Sequence, residues 1–587
     1  MILQALTDYY EQLLAQNKVD APGWDKAFKV SFELRLNDAG ELVDVIDLRN
    51  TALKGKKSVV VPREISVPVH SKRSSGVSAN FLCDTSSYLL GADEKGKPER
   101  AEQCFEAAAQ LHHELLDEVK TTAAKAILLF FDRWMPAQAA DHPQIAAKWK
   151  DIAASANLIF GYEAQDHSHY LASEDAAIRD AWNSHYNGTP EAVKKTQCLV
   201  TGEASVVARL HPNIKGVWGA QSSGASLVSF NAPAFCSYGN EQGDNAPVSE
   251  YAANAYTTAL NYLLADSDHC KHIGDTTMVC WAENASYGYQ TVGMAALFGV
   301  QENTGLTEGD VSNALKLLSQ GKPFEWNDEI ILPDQHFYVL GLAPNASRLS
   351  VRFFLRDTFG GFAAHLQKHL DALEVIRPEN VKVKTLSVWS LAMETVNRNE
   401  SNPSPAPQLV GDLLRSVLTG ERYPVSLLNG VTLRIRAEQK VTYGRAAILK
   451  AYYSRNGTNN KEFKEVLTVK LNEESTYVPY VLGRLFAVLE AIQENANPGI
   501  NTTIRDRYFN SACSTPALAF PGLINLAQKH LSKMGGGKEV YYNTQLAVLL
   551  GKLDEDYPTH LTLQEQGAFQ IGYYHQVQKR YSKKEEE

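Results

Sequence analysis

The sequence predicts an α+β N-terminal part with antiparallel strands and helices, followed by an all-α C-terminal helical bundle. Three observations carry that expectation. As far as residue 358, short runs alternate apolar and polar residues around tight turns, the pattern of half-buried strands. From about residue 476 the apolar residues recur at helical spacing instead. Between the two regimes the Pro-rich segment NPSPAP (402–407) supports neither pattern and reads as a linker. At 587 residues the chain is too long for one hydrophobic core. The expected division is 1–200, α+β; 201–375, α+β with a distinctive loop and a hairpin; 376–470, a helical connector; and 471–587, a helical bundle.

The elements follow in order. Ile2, Leu3, Leu6, Tyr10, Leu13 and Leu14 define an amphipathic helix over 2–16. Residues 29–36 and 41–48 alternate around Asn37-Asp38-Ala39-Gly40, which predicts a hairpin. SVVVP (58–62) continues the β character, and a polar, cationic loop spans 70–91. Helices are expected over about 99–118 and 120–134, then a strand at 157–162 and a helix at 176–186. Ser249 stands at a helix N-cap ahead of the Ala- and Leu-rich run 250–264. TTMVCWA (276–282) is an apolar strand, and 337–358 reads as two strands joined by a Pro-Asn turn. A helix at 361–374 precedes the connector, where 431–438 and 444–455 carry Arg434, Arg436, Arg445 and Lys450. The bundle helices are expected at 476–494, 502–512, 515–532, 541–552 and 560–581.

Composition narrows the function. Hydrophobic content of 44% and charged content of 21% are those of a globular protein, and no uncharged apolar run nears the ~20 residues that span a bilayer. The net charge of −10 means that any nucleic-acid binding must come from local patches. Seven scattered cysteines with no C-x-x-C pair imply reduced thiols, hence a cytoplasmic protein. No catalytic constellation and no metal or cofactor site emerges. Gly219 and Gly224 enclose Ala-Gln-Ser-Ser, which is the wrong spacing for a nucleophile elbow, so a Ser-dependent hydrolase centred on Ser222 or Ser223 is a weak alternative. His365 and His369 lie four apart without the glutamate of a zinc-protease helix. MGGGKE (534–539) lacks the first glycine and the Ser/Thr of a phosphate loop and reads as a turn between helices.

Two stretches carry a positive signal. In Trp218–Leu264 the segment GAQSSGAS combines small residues, which allow close approach of another backbone, with uncharged hydrogen-bonding side chains. That chemistry suits reading base edges, and equally suits capping a rigid loop. In 348–356 strand alternation places Arg348, Arg352 and Arg356 with Phe354 on one face, a surface for phosphates and stacked bases or a solvated sheet face.

Several long segments, in this order, resemble one family: MILQALTDYY, KRSSGVSANFLCDTSSYLLG, GAQSSGASLVSFNAPAFCSYG, NAPVSEYAANAYTTALNYLL, RLSVRFFLRD, LGRLFAVLEAIQ, TTIRDRYFNSACSTPA and IGYYHQ. It is the large subunit of the type I-C CRISPR Cascade complex, and the similarity runs to about residue 581. The resemblance implies a non-enzymatic subunit of a crRNA-guided surveillance complex. Such a subunit recognises the protospacer-adjacent motif (PAM) in duplex DNA, helps unwind the target for R-loop formation and recruits a helicase-nuclease. The implied partners are crRNA, target duplex and displaced strand, the Cascade backbone and crRNA-processing subunits, and small subunits, which the C-terminal helical part resembles. A purely architectural ribonucleoprotein scaffold is the other alternative.

Guide pairing supplies most sequence specificity in such a complex, so the protein need read only a short motif and grip backbone. On that reading Lys72 and Arg73 hold phosphates while Ser74, Ser75 and Asn80 approach base edges, with Phe81 either a wedge or core. Gln221, Ser222, Ser223 and Asn231 form a second contact group. In the helical part, where 11 Lys and Arg from residue 471 onward face 13 Asp and Glu, the candidate cations for a displaced strand are Arg484, Arg505, Arg507, Lys529, Lys533, Lys579 and Arg580.

Overall fold

The computed structural model describes residues 1–19, 21–54, 57–70, 76–94, 97–154, 156–187, 195–300, 304–379, 381, 386–553 and 556–581. The chain forms two compact units, Met1–Pro212 with Ser229–Ala259, and Asn213–Val228 with the chain from Leu260 onward. It passes between them after Pro212, after Val228 and after Ala259, the last within the helix Glu250–Ala265, whose start is fixed by Ser249: the Ser249 Oγ accepts the Ala252 N–H at 3.1 Å.

The first unit is α+β. Its five-stranded sheet runs Leu42–Asp47, Phe32–Leu36, Asn157–Glu163, Cys83–Thr85, with His169–Leu171 paired to Asn157–Glu163. The expected hairpin is present, but it starts at Phe32: Lys29 and Val30 belong to Trp24–Val30, which pairs with Arg63–Pro68. Phe32, Leu34 and Leu36 lie beside Leu158, Phe160 and Tyr162 in a parallel pair and fill one core. The helices Pro98–Leu116 and Thr122–Arg133 close that core with Phe105, Phe130 and Phe131. Within it His112 is fully buried and neutral. Its Nδ1 faces the Ala108 carbonyl at 2.7 Å and its Nε2 accepts the Leu82 N–H at 3.0 Å, so the ring spends one donor and one acceptor. Burial drives its pKa down to about 4.

The second unit begins with a four-stranded antiparallel sheet ordered Cys270–Ile273, Thr276–Ala282, His336–Asn345, Arg348–Thr358. One face carries Met278, Cys280, Phe337 and Val339 into the core, where Phe337 meets Phe359 at 5.0 Å and Phe362 at 5.7 Å. Thr358 caps the helix Phe359–Leu373 through the Gly361 N–H. The hairpin turn is Ala346-Ser347, flanked by the Asn345–Arg348 pair; Pro344 and Asn345, expected in the turn, are strand residues. A two-residue connection needs a positive φ, and Ala346 takes it at 53°.

From Val388 onward every regular element among the described residues is a helix. The Pro-rich segment read as a linker separates no cores: the sheet before it and the helices after it share one cluster in the second unit, and Pro407 is the first residue of Pro407–Thr419. Two long helices, Val478–Ala496 and Leu563–Tyr581, touch backbone to backbone through opposed glycines. A Cβ at Gly483 would stand 2.0 Å from the Phe569 carbonyl oxygen, and one at Gly572 would stand 2.3 Å from that of Tyr480. Cations close helix ends nearby, one of them the buried Lys450. Lys450 donates to the carbonyls of Asp371 (3.3 Å) and Ala372 (3.0 Å) in the last turn of Phe359–Leu373, and Arg455 donates to those of Ser416 and Glu421. Arg445, also buried, is held by Glu394, Glu438 and the Lys440 carbonyl.

Two predictions follow from this packing. Gly483→Ala forces the long helices apart and should cost about 3 kcal/mol or more, whereas Gly522→Ala, with nothing within 4 Å of its Cβ, should gain roughly 0.5–1 kcal/mol. Urea midpoints of the two variants therefore move in opposite directions from wild type. The second concerns His112, whose folded pKa of about 4 lies below its unfolded value of ~6.5. Between those values the unfolded chain binds the extra proton, so the stabilisation is complete above pH 6.5 and is lost as pH falls toward 4. His112→Gln, which can keep both hydrogen bonds without titrating, should flatten the fall in urea midpoint between pH 7 and pH 5.

Candidate nucleic-acid interface

The GAQSSGAS segment forms a closed, rigid projection in the second unit. Ile214 and Ala225 exchange two backbone hydrogen bonds of 2.9 Å at its base. Beyond them Ser226 donates to the Ser347 carbonyl and accepts the Leu349 N–H, which ties the base to the hairpin turn of the sheet. Gly224 has φ 96°, and any side chain there would strike Asn213, with its Cβ 2.7 Å away. The Gly224 N–H returns to the Gln221 carbonyl at 2.9 Å, and the Asn213 amide donates to the Ser223 carbonyl at 3.3 Å. With its backbone held this way, the tip presents Gln221, Ser222 and Ser223 to solvent.

Trp218 stands beside that tip and is 65% exposed. Its backbone N–H donates to Thr277 Oγ1 at 3.0 Å, and its ring lies over His272 with centroids 4.6 Å apart. Lys215 is exposed on the same segment. Uncharged donors and acceptors, an open aromatic face and a nearby cation are together what base-edge contact, stacking and phosphate contact require. Trp218, His272 and Lys215 are candidates that the sequence reading passed over. A tryptophan between Gly216 and Gly219, at the head of a run of small polar residues, was the available signal.

The arginine stripe of 348–356 does not exist as one face. Gly341 pairs with Phe353 while Leu342 pairs with Val351, so Arg352 is an inserted bulge residue. The insertion flips the alternation, and Arg348 and Arg356 point to opposite faces. Arg352 is exposed and pairs with Asp275 at 2.5 Å, and Arg356 lies 5.8 Å from the Tyr338 ring centroid. Tyr338 continues a stack with Trp281 (5.2 Å) and Phe354 (6.0 Å).

The other predicted positions are dispersed. Lys72, Arg73, Ser74 and Ser75 lie outside the described residues. Asn80 is buried with its N–H on Asp84 at 2.9 Å, and Phe81 is core, stacked near Trp182 and His112. Asn231 is exposed and belongs to the first unit, whereas Gln221–Ser223 belong to the second. In the helical part Arg484 is 3% exposed, and it donates to Gln576 and to the carbonyls of Asn472 and Glu473, which removes it from the reach of a phosphate. Arg505 lies 3.7 Å from the buried Glu490, Lys579 pairs with Glu473 and Arg580 with Glu494. Arg507, Lys529 and Lys533 are exposed.

His365 and His369 serve the fold: one ring nitrogen of each meets the Leu418 carbonyl or the Tyr423 hydroxyl, and burial takes His369 down to about 3. MGGGKE contributes the joint Gly535 and the first turn of Gly536–Leu550. Among the described residues no group of three or more His, Cys, Asp or Glu could hold a metal, and no helix is long and apolar enough to cross a membrane.

The chain is thus a two-unit protein, α+β and then helical, with an uncharged, exposed projection tip at Gln221–Ser223. A family model described as CRISPR-associated protein (Cas_Csd1) matches residues 6–581, and the chain belongs to that family. No curated protein matches the sequence.

Proposed function

We propose that the chain is the large subunit of a type I-C crRNA-guided Cascade complex in the cytoplasm and has no catalytic activity of its own. In this reading it recognises the PAM in duplex DNA, helps unwind the target and recruits the helicase-nuclease. It joins crRNA, the backbone and crRNA-processing subunits and small subunits. The observation that carries the reading is the projection 214–225, whose backbone is fixed before any ligand arrives while Gln221, Ser222 and Ser223 stay uncharged and exposed. Preset neutral donors suit a narrow groove whose code is degenerate, and Trp218 offers a flat apolar surface beside them. Membership of a CRISPR-associated family supports the setting.

The reading predicts that replacing Gln221, Ser222 and Ser223 together by Ala abolishes discrimination among flanking motifs in a gel-shift with a randomised library. Loading of crRNA should be unchanged. Equal motif preference in variant and wild type would remove the tip from the reading role. The exposed cations make a separate prediction. Arg507→Ala should lower the slope of log K against log salt by about 1 for displaced-strand binding, with no loss of stability, because one phosphate contact releases about one counterion. Arg505→Ala should instead lower stability, since it leaves Glu490 without its ion pair.

A further inference from the structure

The loop that follows the reading projection contains an aromatic side chain that folding does not explain. Ser237, Tyr238, Gly239 and Asn240 make a tight turn, closed by the Asn240 N–H on the Ser237 carbonyl at 3.0 Å. Both central residues are left-handed, Tyr238 at φ 54° and Gly239 at φ 74°, the signature of a type I′ turn. Asn, Asp and Gly favour the first of those positions, and a bulky aromatic there is strained. The strain brings no burial in return, because Tyr238 is 101% exposed. Nor is the turn loose. Asn245 Oδ1 accepts the Ser237 N–H at 2.8 Å, and its Nδ2 donates to the carbonyls of Asn240 (3.3 Å) and Gln242 (3.1 Å). A strained residue held by several independent bonds, with its side chain in solvent, points to a use outside the chain.

We propose that Tyr238 is a preset stacking residue for a nucleobase of the target as the duplex opens. This rests on the DNA-reading role argued above and adds a residue and a step to it. The loop 229–247 has no cation and two carboxylates, Glu241 and Asp244, so it repels phosphates and meets DNA through base faces. A tyrosine ring has few rotors to immobilise, and the turn has already fixed its backbone, so stacking costs little ordering.

The test uses the assembled complex and a duplex carrying 2-aminopurine beside the recognised motif. Tyr238→Asn relieves the turn, so its thermal midpoint should equal or exceed that of wild type. Its 2-aminopurine signal of opening should nevertheless fall about tenfold. Tyr238→Trp should keep the signal, and a target already unpaired at those positions should restore the Asn variant to within about twofold of wild type. Wild-type opening by the Asn variant overturns the proposal. So does a defect that neither Trp nor the unpaired target repairs, and so does loss of a protein subunit from the complex, which would assign the ring to a protein contact. Failure of the DNA-reading role looks different: wild type itself would show no preference among flanking motifs.

Discussion

The second unit depends on two helix backbones in direct contact. Gly483 and Gly572 let Val478–Ala496 and Leu563–Tyr581 approach until carbonyl oxygens occupy the space of side chains. So close a contact leaves no room for a conventional apolar seam along the whole interface, and polar groups fill part of it. The Tyr480 hydroxyl meets His575 at 2.9 Å, Arg484 meets Gln576 at 3.1 Å, and Glu490 accepts the Tyr573 hydroxyl at 2.6 Å and the Thr503 hydroxyl at 2.8 Å. Each of these groups is buried, and each would be costly without its partner. The network therefore fixes the register of the two helices as well as holding them together.

A few cations of the second unit are committed to internal partners. Arg445, Lys450 and Arg484 are buried among carbonyls and carboxylates, and Arg455 closes two carbonyls while lying 4.4 Å from the Tyr423 ring centroid. In a chain of net charge −10, cations committed to helix ends are unavailable to a polyanion. Arg507, Lys529 and Lys533 are among the cations that stay exposed. On the DNA-reading proposal, exposed cations supply a salt-sensitive grip on phosphates, and selectivity comes from groups whose geometry is set in advance.

Much of the architecture was legible in the sequence because it rests on local periodicity. The helices at 2–15, 98–116, 250–265 and 563–581 and the strands at 157–163 and 276–282 lie within a few residues of where alternation and caps put them. The failures share a cause. Bulge insertion at Arg352 depends on how two strands align, which the alternation of one strand does not encode, so the arginine stripe dissolved. The site was half legible for a similar reason. Composition alone marked GAQSSGAS as unusual, and the structure turned that into a projection by pairing Ile214 with Ala225 and Ser226 with the hairpin turn. The burial of Arg484 and Asn80 depends on tertiary neighbours far along the chain, which spacing does not reveal.

The loops Gly219–Gly224 and Ser237–Asn240 solve one problem in different ways. Gly219–Gly224 places its left-handed residues on glycine, where they cost little, and exposes small polar side chains. Ser237–Asn240 puts a left-handed residue on tyrosine and exposes its ring. Both are pinned by an asparagine elsewhere in the loop system, Asn213 in one and Asn245 in the other. An asparagine side chain supplies a donor and an acceptor to backbone groups, so it stiffens a loop without changing its charge. Stiffness gained without a cation is what a protein needs if it must approach a polyanion closely at a few points while remaining acidic overall. On the DNA-reading proposal, a lysine in either place would bind more tightly and discriminate less, because phosphates are the same at every base pair.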